Sequence, residues 1–114
     1  MANFPLSPFR QTGNIFYVSG QIGQKDGELV SDNIAEQTAQ AIENIAEILK
    51  QNNLSLADIM DMTAFITDQN DYSAFNEAYR KSLPEPFPSR TTVTVTSLPL
   101  MAKVELKAVA FKQL

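Results

Sequence analysis

Three prolines stand within five residues at Pro84, Pro86 and Pro88, and no other stretch of this chain restricts its backbone as tightly. Each ring fixes φ, removes an amide donor and pushes its predecessor toward extended geometry, so a helix arriving from the N-terminal side must stop there. Beyond the block the pattern alternates. Arg90, Thr92, Thr94 and Thr96 interleave with Thr91, Val93 and Val95, and Lys103, Glu105 and Lys107 interleave with Val104, Leu106 and Ala108. Two half-buried strands joined through Ser97-Leu98-Pro99-Leu100 fit this alternation, with the Arg, Thr, Glu and Lys side chains forming one polar row.

Before the proline block the reading is mixed. Ile15-Phe16-Tyr17-Val18, between Thr12-Gly13 and Gly20, predicts a strand over residues 14–22. Lys25-Asp26-Gly27 is turn chemistry, after which residues 28–30 return as a short partner strand. Asn33 followed by Glu36 resembles a capping box. Ile34, Thr38, Ala41, Ile42, Ile45, Ile48 and Leu49 then recur at helical spacing, so residues 33–51 form an amphipathic helix. One helical turn at 55–58 and a strand over 59–67 follow. Asp71 is placed to cap a second helix, whose Tyr72, Phe75 and Tyr79 share a face suited to packing. Strands interleaved with only two helices imply an α+β fold with one sheet covered on one side.

At 114 residues with 44% hydrophobic side chains, the chain suits a single domain, 1–114, able to bury its own core. The absence of Cys and His removes disulfides, thiol nucleophiles, imidazole bases and the usual zinc ligands. Thirteen acidic against nine basic residues give a net charge of −4, and scattered basic residues argue against nucleic acid. The sequence shows neither an apolar run of bilayer length nor a secretory leader, so a cytoplasmic location is expected, and the Asn53-Leu54-Ser55 sequon has no consequence there. Asp68, Asn70, Asp71 and Glu77 lack the Gly and spacing of a calcium loop, and Gly20 and Gly23 belong to no phosphate loop. Met60 and Met62 read as core fillers.

Arg90 and Glu105 are the remaining pair of interest. A hairpin centred between residues 97 and 99 brings them within roughly 5–8 Å. Spacing alone favours a cross-strand ion pair worth about 0–1 kcal/mol. The alternative is a guanidinium that grips a carboxylate beside a Glu that handles protons.

Several segments in one order carry a stronger signal. Val18-Ser19-Gly20-Gln21-Ile22, the Asn33–Leu49 helix, Thr63-Ala64-Phe65-Ile66-Thr67-Asp68, Phe75-Asn76-Glu77-Ala78-Tyr79, Pro88-Ser89-Arg90 and Val104-Glu105-Leu106-Lys107-Ala108-Val109-Ala110 resemble the RidA (YjgF) family from about Pro5 to Phe111. The resemblance implies a chorismate-mutase-like ββαβαββ mixed sheet with two helices on one face. It also implies a homotrimer with inward-facing sheets and three clefts between subunits. Archetypal members are 2-iminobutanoate/2-iminopropanoate deaminases. They hydrolyse reactive imine and enamine products of pyridoxal-phosphate enzymes such as threonine dehydratase, without metal or cofactor.

By the same resemblance Arg90 binds the substrate carboxylate and Glu105 positions or activates water. Ser19 and Gly20 match a Ser-Gly pair beside the reacting group, and Asn76 matches a helix asparagine near the cleft. Three positions depart from the pattern: Leu6 stands where a cleft-lining Tyr is common, Thr92 where Cys is frequent, and Lys107 where a second Glu is usual. Leu6 and Thr92 alter pocket shape and polarity. Lys107 adds positive charge that favours an ionised Glu105. The expected ligand is a small 2-imino or 2-keto acid. A non-catalytic sensor of such acids is the main rival; the ribonuclease activity attached to some relatives suits an acidic chain without His poorly.

Overall fold

The computed structural model describes residues 4–113, so the ends of the expected 1–114 domain, residues 1–3 and 114, lie outside the described residues. Strand β1 (Phe9–Thr12) turns through Gly13, whose φ of 56° suits a residue without Cβ, into β2 (Ile15–Ile22). Phe16 and Val18 of β2 are buried while Ile15 and Tyr17 face outward, the period-2 signature of a sheet covered on one side. Register slips between Val18 and Gln21, so Ser19-Gly20 forms a bulge that re-aims the strand. The return strand expected over 28–30 exists as β4 (Glu28–Leu29). It pairs with β3 (Gln24–Lys25) in a separate two-stranded ribbon instead of entering the main sheet.

Helix α1 (Ile34–Lys50) begins where Asn33 Oδ1 accepts from the Glu36 amide at 2.9 Å. The Asn33 amide donates to Ser31 Oγ, so Ser31 completes the cap that Glu36 was expected to complete. Its inner face carries Ile34, Ala41, Ile42, Ile45 and Leu49, and burying each large aliphatic side chain contributes about 1.5–3 kcal/mol. Gln37 is fully buried on the same face, with both ends of its amide hydrogen-bonded. Its Nε2 donates to the Ser31 carbonyl at 2.8 Å and its Oε1 accepts from the Lys103 amide at 2.8 Å. Gly23 makes this possible, because a Cβ there would lie 2.5 Å from the Gln37 backbone.

A 3-10 turn at Leu56–Asp58, closed by Ser55 and Asp58, leads into β5 (Ile59–Ile66). A second 3-10 turn (Gln69–Asp71) precedes α2 (Tyr72–Ser82). Asp68 caps that turn by accepting from the Asn70 amide at 2.9 Å. Asp71, expected as the cap of α2, is itself helical and makes no side-chain cap bond. Leu83-Pro84 ends α2 as the proline block requires.

The last strands are β6 (Ser89–Thr94) and β7 (Val104–Phe111), with a 3-10 turn at Pro99–Met101 between them. They do not form the expected hairpin. The five-stranded sheet runs β1-β2-β7-β5-β6, with β5 lying between β6 and β7, parallel to the first and antiparallel to the second. The architecture is nonetheless α+β, a mixed sheet covered on one face by two helices that join β2, β5 and β7 in one core. Its other face is uncovered and apolar in part. Ile15, Tyr17, Val93 and Phe111 are each 37% exposed or more.

Candidate active site

Strand order decides where the Arg90 and Glu105 side chains go. Arg90 stands opposite Met62 and Thr92 opposite Ala64, so both share the helix-covered face with those buried neighbours. Glu105 stands opposite Phe65 and alternates with buried Val104 and Leu106, so it lies on the open face. The single polar row and the 5–8 Å separation are thereby corrected. The two residues sit two strands apart and about three residues out of step, about 14 Å between α-carbons, on opposite faces of one sheet.

Arg90 is held by α2. Its Nη2 donates to Asn76 Oδ1 at 2.8 Å and to the Tyr72 hydroxyl at 3.3 Å. The guanidinium carbon lies 4.8 Å from the ring centre of Tyr79, 5.2 Å from that of Phe75 and 5.9 Å from that of Tyr72. The aromatic stripe read as packing therefore has a second use. Phe75 and Tyr79 are core residues, while Tyr72 is half exposed, and together the three rings cradle a cation that an edge strand would otherwise leave in water. Its bonded partners here are neutral, so its charge stays available to an anion.

Beside this guanidinium a cavity of about 280 Å³ is lined by Asn76, Tyr79, Arg80, Phe87, Pro88 and Arg90. Burial pushes the Tyr79 phenol up to about 12, and the charge of Arg90 offsets this only in part. The hydroxyls of Tyr79 and Thr92 are both buried without a hydrogen-bond partner. The proline block thus ends by placing Phe87 and Pro88 in the cavity wall. Arg80, Phe87 and Pro88 were not foreseen, although Arg80 follows Asn76 by one helical turn, the spacing that puts both on one side of α2.

Glu105 belongs to a second cluster. Its carboxylate lies against Gly20, within the bulge of β2. Burial raises its pKa above the ordinary carboxylate value. Lys107, two residues along on the same face, is exposed, and the expected shift toward the ionised form is reversed. Ser19 Oγ donates to the Ser7 carbonyl and its amide donates to the Pro8 carbonyl at 2.9 Å. These bonds draw the N-terminal segment, with Leu6 64% exposed, alongside the bulge. The predicted residues therefore form two half-sites: Arg90, Asn76 and Thr92 at one edge, and Glu105, Gly20, Ser19 and Leu6 toward the other.

A family model described as Endoribonuclease L-PSP, that of the RidA proteins, matches residues 2–112. The chain belongs to the RidA family. A human relative named 2-iminobutanoate/2-iminopropanoate deaminase is 37% identical over 112 residues, covering 94% of this chain and 82% of its own. Among solved structures, RidA from an Antarctic Psychrobacter is similar with a TM-score of 0.91 at 32% identity, covering 97% of this chain and 91% of that one. E. coli TdcF, solved with bound serine, gives a TM-score of 0.91 at 32% identity over 98% and 91%. The α+β fold of this chain, two helices with a mixed sheet, matches that of RidA structures. Among the described residues no helix is long and apolar enough to cross a membrane.

Proposed function

We propose that this chain is a RidA-type deaminase that hydrolyses small 2-imino acids, 2-iminobutanoate and 2-iminopropanoate among them, to 2-keto acids and ammonia. The observation that carries the reading is the Arg90 guanidinium, held beside a cavity by neutral partners and so free to grip a carboxylate. Family membership and the 37% identity to a human protein named for this reaction support it.

The two half-sites meet between copies in this reading. In a homotrimer with uncovered sheet faces turned inward, the β6 edge of one copy abuts the open face of the next, so that Arg90, at that edge, comes beside the neighbour's Glu105. The exposed apolar residues of that face support such an assembly, since their burial is favourable at roughly 25 cal/mol per Å². Arg90 binds the substrate carboxylate, which places C2 beside a water on Glu105. Glu105 takes a proton as the water oxygen bonds to C2 and passes it to nitrogen, giving a carbinolamine; it then takes the hydroxyl proton and passes that to nitrogen too, so the C–N bond breaks as C=O forms and ammonia leaves. Because such imines also hydrolyse unaided, positioning and one proton relay suffice. Neither metal nor cofactor is required by this route.

The test is clearance of 2-iminobutanoate, generated in place by an amino-acid oxidase. An Arg90→Ala protein is expected to fall to the spontaneous rate, and one that matches wild type refutes the role. A second reading, a non-catalytic sensor of small amino or keto acids, draws support from the serine bound to TdcF. It predicts ligand-induced thermal stabilisation without ammonia release.

A further inference from the structure

The cavity beside Arg90 carries a second guanidinium that the proposed chemistry does not use. Arg80 lies one helical turn after Asn76 on α2 and lines the same cavity of about 280 Å³. Its other walls are Asn76, Tyr79, Phe87 and Pro88, none of them acidic. In a chain of net charge −4 this is a local reversal of sign: two permanent cations converge on one small space with no carboxylate among the lining residues. Two guanidiniums on one cavity offer separate partners to two carboxylates. Arg90 is already fixed by Asn76 and three aromatic rings, whereas Arg80 is exposed near the end of α2 and free to reach a ligand.

We infer that Arg80 selects ligands with a second carboxylate, so that the site prefers dicarboxylic 2-imino and 2-keto acids over monocarboxylic ones. One carboxylate pairs with Arg90, the distal one with Arg80, and the connecting methylenes lie along Phe87 and Pro88. Charge-assisted bonds of this kind gain strength in a cavity walled by rings and lose it as salt screens the exposed partner. The inference rests on the proposed function for the reaction and on the cavity alone for the binding.

The experiment reads binding separately from turnover. Isothermal titration of wild type, Arg80→Gln and Arg80→Lys with 2-oxobutanoate and 2-oxoglutarate gives each protein's preference for the dicarboxylate. Wild type is expected to favour 2-oxoglutarate by about five- to tenfold, Arg80→Gln to lose that preference, and Arg80→Lys to retain part of it. Equal affinities in wild type, a preference unchanged in Arg80→Gln, or no binding of either acid overturns the inference. Clearance of 2-iminobutanoate, run in parallel, judges the deaminase reading alone. An active enzyme without the preference sinks only the role of Arg80, and a protein with the preference but no turnover sinks only the deaminase.

Discussion

The carboxyl group of Glu105 rests against the bare α-carbon of Gly20, where a Cβ would lie 2.9 Å from Cδ and closer still to Oε2. Gly20 does not have the positive φ of Gly13 or Gly27, so its backbone accepts a side chain and only the carboxylate must move. Gly20→Ala is expected to lower the rate of imine clearance by about ten- to a hundredfold, because displacement near 1 Å suffices for such a loss. The melting temperature should change little. A variant with full kcat would show that Glu105 need not occupy this position.

Burial gives Glu105 a pH signature. Its folded pKa lies above the ordinary 4.5, so just above that value the folded chain keeps a proton that the unfolded chain has released. Stability from this group therefore falls as pH rises through the window, and the penalty is complete once the folded carboxyl has ionised. Glu105→Gln is expected to melt higher than wild type near pH 7, the gain shrinking toward about pH 4, while clearance is lost. Melting curves across that range decide it; a gain independent of pH would contradict the assignment.

Asn76 tests the charge on Arg90. Asn76→Asp keeps the shape but turns the 2.8 Å hydrogen bond into an ion pair that competes with the substrate carboxylate. KM for 2-iminobutanoate is expected to rise about tenfold with a smaller effect on kcat. An unchanged KM would mean that the substrate does not use this guanidinium.

Division of the site between copies has a direct test. Arg90→Ala and Glu105→Gln proteins, each inactive alone, are unfolded together and refolded. Random assortment leaves one junction in four with both residues, so roughly a quarter of wild-type activity is expected. Were both groups needed from one chain, the mixture would stay inactive.

Leu100 and Met101 both have positive φ, 58° and 59°, which glycine adopts without cost, and Met101 is 81% exposed. Met101→Gly is expected to stabilise the chain by about 0.5–1 kcal/mol in urea denaturation. A loss of stability would mean that the Met101 side chain contributes a contact larger than this backbone strain.

Periodicity made the two helices, β2, β5 and the alternation of β6 and β7 legible, because those segments bury one face against a common core. It could not give their order. Short spacing between two alternating runs reads as a hairpin, yet β5 takes the place between β6 and β7, an outcome fixed by contacts distant in sequence. The side on which Arg90 lies was equally hidden. Alternation gives the phase of a strand without saying which face is covered, and a charged residue belongs on the wet face unless a neighbour such as α2 offers it aromatic rings and an amide. Strand β1 escaped notice because Arg10, Gln11 and Thr12 are exposed at the sheet margin. Asp68, not Asp71, caps the approach to α2 because the extra 3-10 turn moves the start of the helical path upstream.

One side-chain amide acts as the spacer between helix and sheet. Gln37 reaches from α1 to the Lys103 amide, two residues before Glu105, while its other end is anchored at Ser31 and its backbone is pressed against Gly23. An aliphatic residue of similar size would fill the same volume but leave the Ser31 carbonyl and Lys103 amide without this partner. A buried polar tether of this kind ties the approach to β7 to one place on α1, a directional constraint that oily contacts alone do not impose.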